Sequence, residues 1–240
     1  MTPLLQFEHI TLKHPSLERP ILDDINYTVQ KGDCVVVLGA NGSGKSSLLK
    51  LLDGRYRTND GKVLLKDKNI LSLSSRTRAH CIHTLTQSAQ DNLFLDLTIF
   101  ENYQLIQKRN KADAIDSLAD YLQAFNVKLA AKLDVLVARL SGGEQQALAL
   151  ALAVLYPPEI LLLDEHTSAL DPKTAEHLMA LTARIIHERH ITALLTTHNV
   201  SHALTYGDRI LALKEGCVHD CIERNDKENL TAEMLMARCY

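Results

Sequence analysis

A glycine-rich segment of the chain has the residue types that cradle phosphate groups. Gly39-Ala40-Asn41-Gly42-Ser43-Gly44-Lys45-Ser46 fits the pattern GxxxxGK[ST] in full, directly after the apolar run 34–38 and before a helical pattern. Glycines let backbone N–H groups turn inward around phosphates, and the N-terminus of the following helix adds about half a positive charge. The segment therefore predicts a nucleoside triphosphate site.

The side chains of this loop have distinct expected roles. Lys45 is expected to reach the β- and γ-phosphates, and the hydroxyl of Ser46 is expected to ligate Mg²⁺. The nucleotide contacts that we predict from this loop are made by Gly39, Asn41, Gly42, Ser43, Gly44, Lys45, Ser46 and Ser47.

Two carboxylates follow a second apolar strand, Ile160-Leu161-Leu162-Leu163-Asp164-Glu165. We expect Asp164 to hold Mg²⁺, directly or through water. Glu165 is expected to lie beside the γ-phosphate and to polarise the attacking water as a general base. Acids at the end of a buried strand are a weak signal alone, but together with the phosphate loop they predict hydrolysis of the triphosphate.

Two further polar side chains are placed to act at the same edge of the sheet. His198 follows the predicted strand 191–196, so it lies at the carboxyl edge, where it can contact the γ-phosphate. Gln87 stands where the strand-rich part of the chain gives way to a helical part, and it is predicted to reach Mg²⁺ or the attacking water. Gln90 remains a competing candidate for that role.

A second anion site is predicted at Leu140-Ser141-Gly142-Gly143-Glu144-Gln145. A serine cap and two glycines at the start of an apolar helix leave backbone N–H groups available to an anion. Because the chain already has a complete phosphate loop, this site predicts a γ-phosphate held between two copies. We therefore expect Ser141 and Gly143 to contact the nucleotide of the partner copy.

The order of apolar patterns predicts an α/β architecture. Strands are expected at 5–12, 25–29, 34–38, 62–65, 160–163, 191–196, 210–213 and 217–219, with a turn at 59–61. Helices are expected at 46–52, 174–189 and 201–206, and a block from about 97 to 154 is mainly helical, including 114–125. We predict one domain, 1–240, with a core lobe (about 1–86 and 157–223), an inserted helical lobe (about 87–156) and a short tail (224–240).

Composition excludes several classes of protein. With 46% hydrophobic residues, 23% charged residues and a formal net charge of -3, the chain has no basic excess that would indicate nucleic-acid binding. The apolar run Ala147 to Tyr156 is too short to span a bilayer, and Met1-Thr2-Pro3-Leu4 does not indicate a signal peptide. The five scattered cysteines are expected to be reduced thiols, and His80-Cys81-His83 lacks a second ligand pair for a metal site.

These motifs resemble those of the ATP-binding cassette (ABC) ATPases over nearly the whole chain. Walker A (39–46), the glutamine loop (Gln87), the signature (140–145), Walker B (160–165), the D-loop (168–171) and the switch histidine (His198) occur in the family's order. The resemblance implies a RecA-like P-loop core with a mostly parallel sheet, an antiparallel β subdomain and an inserted α-helical subdomain. It also implies ATP and Mg²⁺ as ligands, a head-to-tail homodimer on ATP binding, and transmembrane permease partners at the cytoplasmic face of the membrane.

Two positions depart from the family's pattern. The aromatic residue that stacks on adenine would fall near Lys13-His14, which makes His14 the expected stacking residue, and His166 replaces the usual proline after Glu165. The stretch 163–175 resembles one branch of bacterial importers for tryptophan or tyrosine, which use a separate substrate-binding protein. A soluble ABC ATPase without a transporter, and an exporter, remain the alternatives.

Overall fold

The computed structural model describes residues 3–110, 114–227 and 229–239. The strands are β1 (Pro3–Leu12), β2 (Leu22–Gln30), β3 (Cys34–Leu38), β4 (Asp60–Leu65), β5 (Lys68–Asn69), β6 (Ile82–Leu85), β7 (Ile160–Asp164), β8 (Thr192–Thr197), β9 (Arg209–Lys214) and β10 (Cys217–Ile222). The helices are α1 (Lys45–Leu52), α2 (Ser75–Cys81), α3 (Ile99–Asn110), α4 (Leu118–Gln123), α5 (Val127–Ala130), α6 (Gly142–Ala153), α7 (Pro172–Glu188), α8 (Val200–Tyr206), α9 (Arg224–Lys227) and α10 (Ala232–Cys239).

The larger sheet has the strand order β10-β9-β3-β8-β7-β6. Neighbouring strands from β9 to β6 are parallel, and only the edge pair β9 and β10 is antiparallel. Every residue of β3 and of β8 is buried, because both faces of a parallel sheet are covered. The continuous apolar runs in the sequence therefore mark central strands of this sheet.

The smaller sheet has the order β2-β1-β4-β5, and its paired strands are antiparallel. Its inner side chains, among them Leu5, Ile10 and Ile25, share a core with one face of the larger sheet. A mostly parallel sheet with an added antiparallel sheet and several helices confirms the predicted fold class.

The chain between β6 and β7 is largely helical, and the helices α3 to α6 pack in one cluster with the other face of the larger sheet. Helix α6 is the central element, since Ala147 to Leu152 are all buried. The helix predicted over 114–125 is shorter, because Ser117 caps the start of α4 and Asn126 caps the start of α5. The division of the chain into two lobes remains a prediction.

Some elements differ from the sequence-based expectation. The predicted turn at 59–61 is partly extended, since β4 begins at Asp60. The strand β6 and the helix α2 were not predicted, and the expected tail contains α9 and α10, with Leu235 and Cys239 of α10 buried. Within the described ranges, no helix is both long and apolar enough to cross a membrane.

The histidine cluster considered for metal binding has a structural role at His83, in β6. Its Nδ1 donates to the carbonyl of Ala153, and its Nε2 accepts a hydrogen bond from Arg109 Nη2 at 3.1 Å. Burial lowers the pKa of His83, which keeps the ring neutral and suited to donate at one nitrogen and accept at the other. His83 thereby links β6 to the end of α6 and to α3.

Candidate functional site

A cleft of about 690 Å³ opens at the carboxyl edge of the larger sheet, where the loops after β3, β6 and β7 meet. The phosphate loop, the two carboxylate residues and three other segments line it. The lining residues are Leu17, Glu18, Arg19, Pro20, Ile21, Asn41, Gly42, Gly44, Lys45, Ser46, Ser47, Gln87, Asp164, Glu165, Glu215 and Gly216. Most of the predicted nucleotide contacts therefore surround one cavity.

The phosphate loop is closed around the amine of Lys45. Its Nζ donates to the carbonyl of Gly39 at 2.9 Å and to that of Ala40 at 3.1 Å, and the side chain is 5% exposed. Gly44 has a φ of +104°, a left-handed conformation that favours glycine and that turns the chain into α1. Helix α1 therefore begins at Lys45 with its N-terminal N–H groups facing the cleft, which suits an anion.

Ser46, in the first turn of α1, contacts Asp164, the last residue of β7. Ser46 Oγ donates to Asp164 Oδ1 at 2.8 Å, and Thr196 Oγ1 lies at the same distance from that oxygen. A hydroxyl and a carboxylate at this separation are oxygen ligands of the kind that Mg²⁺ takes beside phosphates. These two residues therefore fit the predicted metal role.

Glu165 lies between two cationic or potentially cationic groups. Its Oε1 is 3.7 Å from Lys45 Nζ and 3.5 Å from His198 Nδ1. Its backbone φ is +46°, which is uncommon for a residue with a side chain. The backbone N–H of Glu165 donates to Thr196 Oγ1 at 3.1 Å, so Thr196 contacts both carboxylate residues of this turn.

Gln87 is exposed, lines the cleft, and is connected to α6 through its backbone. The side-chain amide of Gln146, on α6, donates to the carbonyl of Gln87 at 2.8 Å and to that of Thr86 at 3.3 Å. Gln90, the competing candidate, does not line the cleft. Gln87 is therefore the glutamine of this pair that lines the cleft, and its contact with Mg²⁺ or the attacking water stays a prediction.

The predicted second anion site forms the start of α6. Ser141 Oγ accepts from the N–H of Glu144, and the Glu144 carboxylate accepts from the N–H of Ser141, which is a complete capping box. The N–H groups of Gly142 and Gly143 in the first turn have no acceptor within the helix. A Cβ at Gly143 would lie 2.5 Å from Thr174 Cγ2, so glycine also permits the close approach of α7.

Three of the predicted site residues have surroundings that differ from those expected. His14 does not line the cleft: its ring is exposed and contacts Ser16 Oγ at 2.7 Å, while Leu17 and Arg19 occupy the wall beside the phosphate loop. Stacking of adenine on His14 therefore stays a prediction, and the segment 17–21, rather than His14, lines the cleft. Ser43 is buried rather than facing the cavity, and Gly39 contributes its carbonyl to Lys45.

The two remaining predicted contacts, Ser141 and Gly143, lie outside the lining of this chain's own cleft. His198 lines a separate cavity of about 340 Å³ that it shares with Glu165 and His166. His198 is therefore brought to Glu165, whereas the start of α6 does not reach the same chain's phosphate loop.

Comparison with known proteins agrees with this geometry. The family model described as "ABC transporter" matches residues 22–168, which include the phosphate loop, the start of α6 and both carboxylates. The chain belongs to the ABC transporter family. It is an ATP-binding subunit of an ABC transporter and an ATPase.

Two curated relatives show how far the similarity extends. The tyrosine transport ATP-binding protein of Clostridioides difficile is 32% identical over 98% of this chain and 98% of its own length. The methionine import ATP-binding protein MetN 1 of Enterococcus faecalis is 32% identical over 90% of this chain, which spans only 61% of that relative. The tyrosine transport ATP-binding protein therefore has nearly the same length as this ABC subunit.

One solved structure is similar at 26% identity with a TM-score of 0.79, covering 92% of this chain and 98% of its own. It is an ATP-binding cassette in a dimeric, post-hydrolysis state bound to ADP and Pi. The agreement in length and fold confirms that this ABC subunit has the architecture of a hydrolysing cassette.

The sequence did not indicate that Thr196 contacts the two carboxylate residues or that the segment 17–21 lines the cleft. Thr196 belongs to the run Thr196-Thr197-His198, and two hydroxyls at the end of an apolar strand are a signal for polar contacts at the site. The segment 17–21 has no recognisable motif, and it lies beside the turn after β9, where Arg19 Nη1 is 3.3 Å from Glu215 Oε2. Only the folded chain brings these segments together.

Proposed function

We propose that this chain drives the import of a small solute, an aromatic amino acid of the tyrosine kind, as the ATPase subunit of a bacterial ABC importer. The observation that carries the proposal is the similarity to the tyrosine transport ATP-binding protein over almost the full length of both chains. The methionine import relative supports the direction of transport, although this chain spans only part of it. In this proposal, the chain lies at the cytoplasmic face of the membrane against permease subunits, and a substrate-binding protein delivers the solute.

The residues of the cleft have separate roles in ATP hydrolysis. Lys45 exchanges its two loop carbonyls for the β- and γ-phosphates, and Glu165 orients and polarises the attacking water as the general base. His198 holds the carboxylate of Glu165 from the other side, at 3.5 Å. Ser46 and Asp164, with Gln87, would hold Mg²⁺, which neutralises charge on the phosphates when it is bound.

The second half of the proposal is a head-to-tail homodimer formed on ATP binding. Ser141 and Gly143 stand at a helix N-terminus that is exposed and lies outside the chain's own cleft. An anion site in that position is suited to a γ-phosphate held by the other copy. The dimeric state of the solved relative with ADP and Pi supports this arrangement.

We expect Ser141→Asp to lower ATPase activity by roughly 10-fold or more, because a carboxylate near the partner's γ-phosphate adds like-charge repulsion. Aspartate keeps the N-cap of α6, so the helix itself is retained. The matched control is Ser141→Asn, which is also a good N-cap but is neutral, and it is expected to lose less. Steady-state hydrolysis by the two variants measures the difference, and equal activities would contradict a phosphate contact.

Mixing two inactive variants tests whether the site is shared between copies. Lys45→Ala damages the phosphate loop and Ser141→Asp damages the opposite surface, so a mixed dimer contains one intact composite site. Activity that exceeds that of either variant alone is the expected result. A mixture no more active than its components would refute the shared site.

The transport function is tested in cells that depend on this subunit. Deletion of the gene is expected to abolish uptake of labelled tyrosine, and the wild-type chain, but not Glu165→Gln, is expected to restore it. Uptake of labelled methionine and putrescine serves as the control for substrate class. Normal tyrosine uptake in the deletion strain would refute the proposed solute and leave the assignment as an ATPase intact.

A further inference from the structure

A histidine that the mechanism above does not use directly follows the general base. The side chain of His166 is 1% exposed, and its Nε2 lies 3.1 Å from Thr182 Oγ1 on helix α7. Thr182 Oγ1 in turn donates to the carbonyl of Leu178 at 2.7 Å. A buried polar ring that is bonded to a neighbouring helix in this way links the turn after β7 to α7.

The direction of these hydrogen bonds fixes the tautomer of the ring. Because the hydroxyl of Thr182 gives its proton to Leu178, it accepts from His166, whose Nε2 therefore carries the hydrogen. Burial, with a smaller contribution from His202, lowers the pKa of His166 to about 4, so the ring is neutral at pH 7. His166 Nδ1 then has a lone pair and no proton, and it has no hydrogen-bond partner among the described residues.

The turn held by His166 contains the strained backbone of Glu165. A φ of +46° costs a residue with a side chain free energy unless the surroundings enforce it. Thr196 Oγ1 accepts from the N–H of Glu165, and both the N–H and the hydroxyl of Ser168 donate to its carbonyl, at 2.9 and 2.8 Å. The backbone groups of Glu165 are thus fixed to β8 and to the D-loop, and the next residue in the chain is fixed to α7.

We propose that His166 is a positioning residue for ATP hydrolysis, which holds the backbone of Glu165 in its left-handed conformation through its hydrogen bond to Thr182 and thereby aims the carboxylate at the attacking water. This inference rests on the proposed role of Glu165 as general base. Since the bond joins the residue after the base to α7 and does not involve the nucleotide, we expect its loss to affect the chemical step and to leave ATP binding unchanged.

Two substitutions at His166 separate the hydrogen bond from the volume of the side chain. The amide of glutamine reaches about as far as Nε2 and can donate to Thr182, whereas the amide of asparagine stops near the position of Nδ1. We expect His166→Asn to lower kcat by roughly 10- to 100-fold with ATP affinity changed by less than about twofold. His166→Gln is expected to recover most of the lost turnover, to within about threefold of the unsubstituted chain.

The measurements are kcat from steady-state hydrolysis, Kd for ATP from calorimetry, and the melting temperature. If kcat is unchanged in His166→Asn, or is lowered equally in His166→Gln and His166→Asn, the proposal is wrong. A fall in ATP affinity parallel to the fall in kcat would also overturn it, because a general loss of structure would then explain both.

Thr182→Val removes the other partner of the same hydrogen bond. This variant tests the proposal even if His166→Asn does not fold. Valine keeps the volume of threonine and removes the acceptor, so the same selective loss of kcat is expected. In the double variant with His166→Asn, the losses are expected to be less than additive, and full additivity would show that the two residues act separately.

Measuring Glu165→Gln in parallel distinguishes a failure of the positioning role of His166 from a failure of the general-base role of Glu165. If Glu165→Gln keeps near-normal turnover, the role of the base fails. If Glu165→Gln loses turnover and Thr182→Val does not, only the positioning role of His166 fails.

Discussion

Replacement of Glu165 by glutamine is expected to lower the turnover of ATP by roughly 10²–10⁴-fold while ATP binding is retained, which is the usual scale for loss of a general base. Glutamine has the same shape, so the contacts of the turn with Thr196 and Ser168 persist. What is lost is the negative charge and basicity of the carboxylate whose Oε1 lies 3.7 Å from Lys45 Nζ and 3.5 Å from His198 Nδ1. An amide cannot accept the proton of the attacking water.

The measurement is release of phosphate under saturating ATP, with ATP affinity measured separately on the same protein. Glu188→Gln, at the exposed end of α7, makes the same chemical change away from the cleft and is expected to behave like the unsubstituted chain. Sedimentation of Glu165→Gln with ATP is expected to show a dimer, since the nucleotide is not consumed. Near-normal hydrolysis by Glu165→Gln would remove Glu165 from its proposed role.

Replacement of Lys45 by alanine is expected to abolish tight binding of ATP. Removing one partner of a buried, hydrogen-bonded charge pair costs about 2–5 kcal/mol, which corresponds to a roughly 30-fold to several-thousand-fold weaker Kd. Lys45 meets that condition because it is 5% exposed and its amine is directed into the phosphate loop by two carbonyls. No other lysine or arginine among the residues described as lining the cleft lies in that loop.

Isothermal calorimetry with ATP checks the loss of affinity, and circular dichroism checks that the fold is kept. Lys50→Ala is the matched control, because Lys50 lies in the same helix and its amine faces the ring of Tyr56 at 5.7 Å rather than the cleft. An unchanged Kd for Lys45→Ala would mean that the phosphates are held by backbone groups alone.

The parts of the fold that depend on local pattern could be predicted from the sequence. The strand at 34–38 was predicted with its observed bounds because five consecutive apolar residues between a turn and a glycine loop permit little else. The helix α6 and its capping box follow from Ser141 and Glu144, whose types and spacing specify the contacts that are observed. The site residues that such motifs contain are predicted for the same reason.

The parts that depend on distant pairing could not be predicted. β6 is only four residues long and contains His83 and Thr84, so its pattern does not indicate a strand until β7 pairs with it. Similarly, the expectation that His14 stacks on adenine comes from the family's sequence pattern, which places an aromatic residue near Lys13-His14. The course of 17–21 is instead set by contacts with the turn at Glu215 and Gly216, far away in sequence. The buried position of His166 depends in the same way on α7.

Helix α6 has a consequence for communication between two copies of this subunit. Its first turn is the surface proposed to meet a neighbour's γ-phosphate, and Gln146, roughly 7 Å further along the axis, is bonded to the backbone of Thr86 and Gln87 at the chain's own cleft. In the proposed dimer, α6 would therefore connect the ATP site of one copy with that of the other. Thermodynamic linkage requires any coupling that α6 transmits between two ATP sites to be reciprocal, so that each ATP changes the affinity of the other site by the same factor.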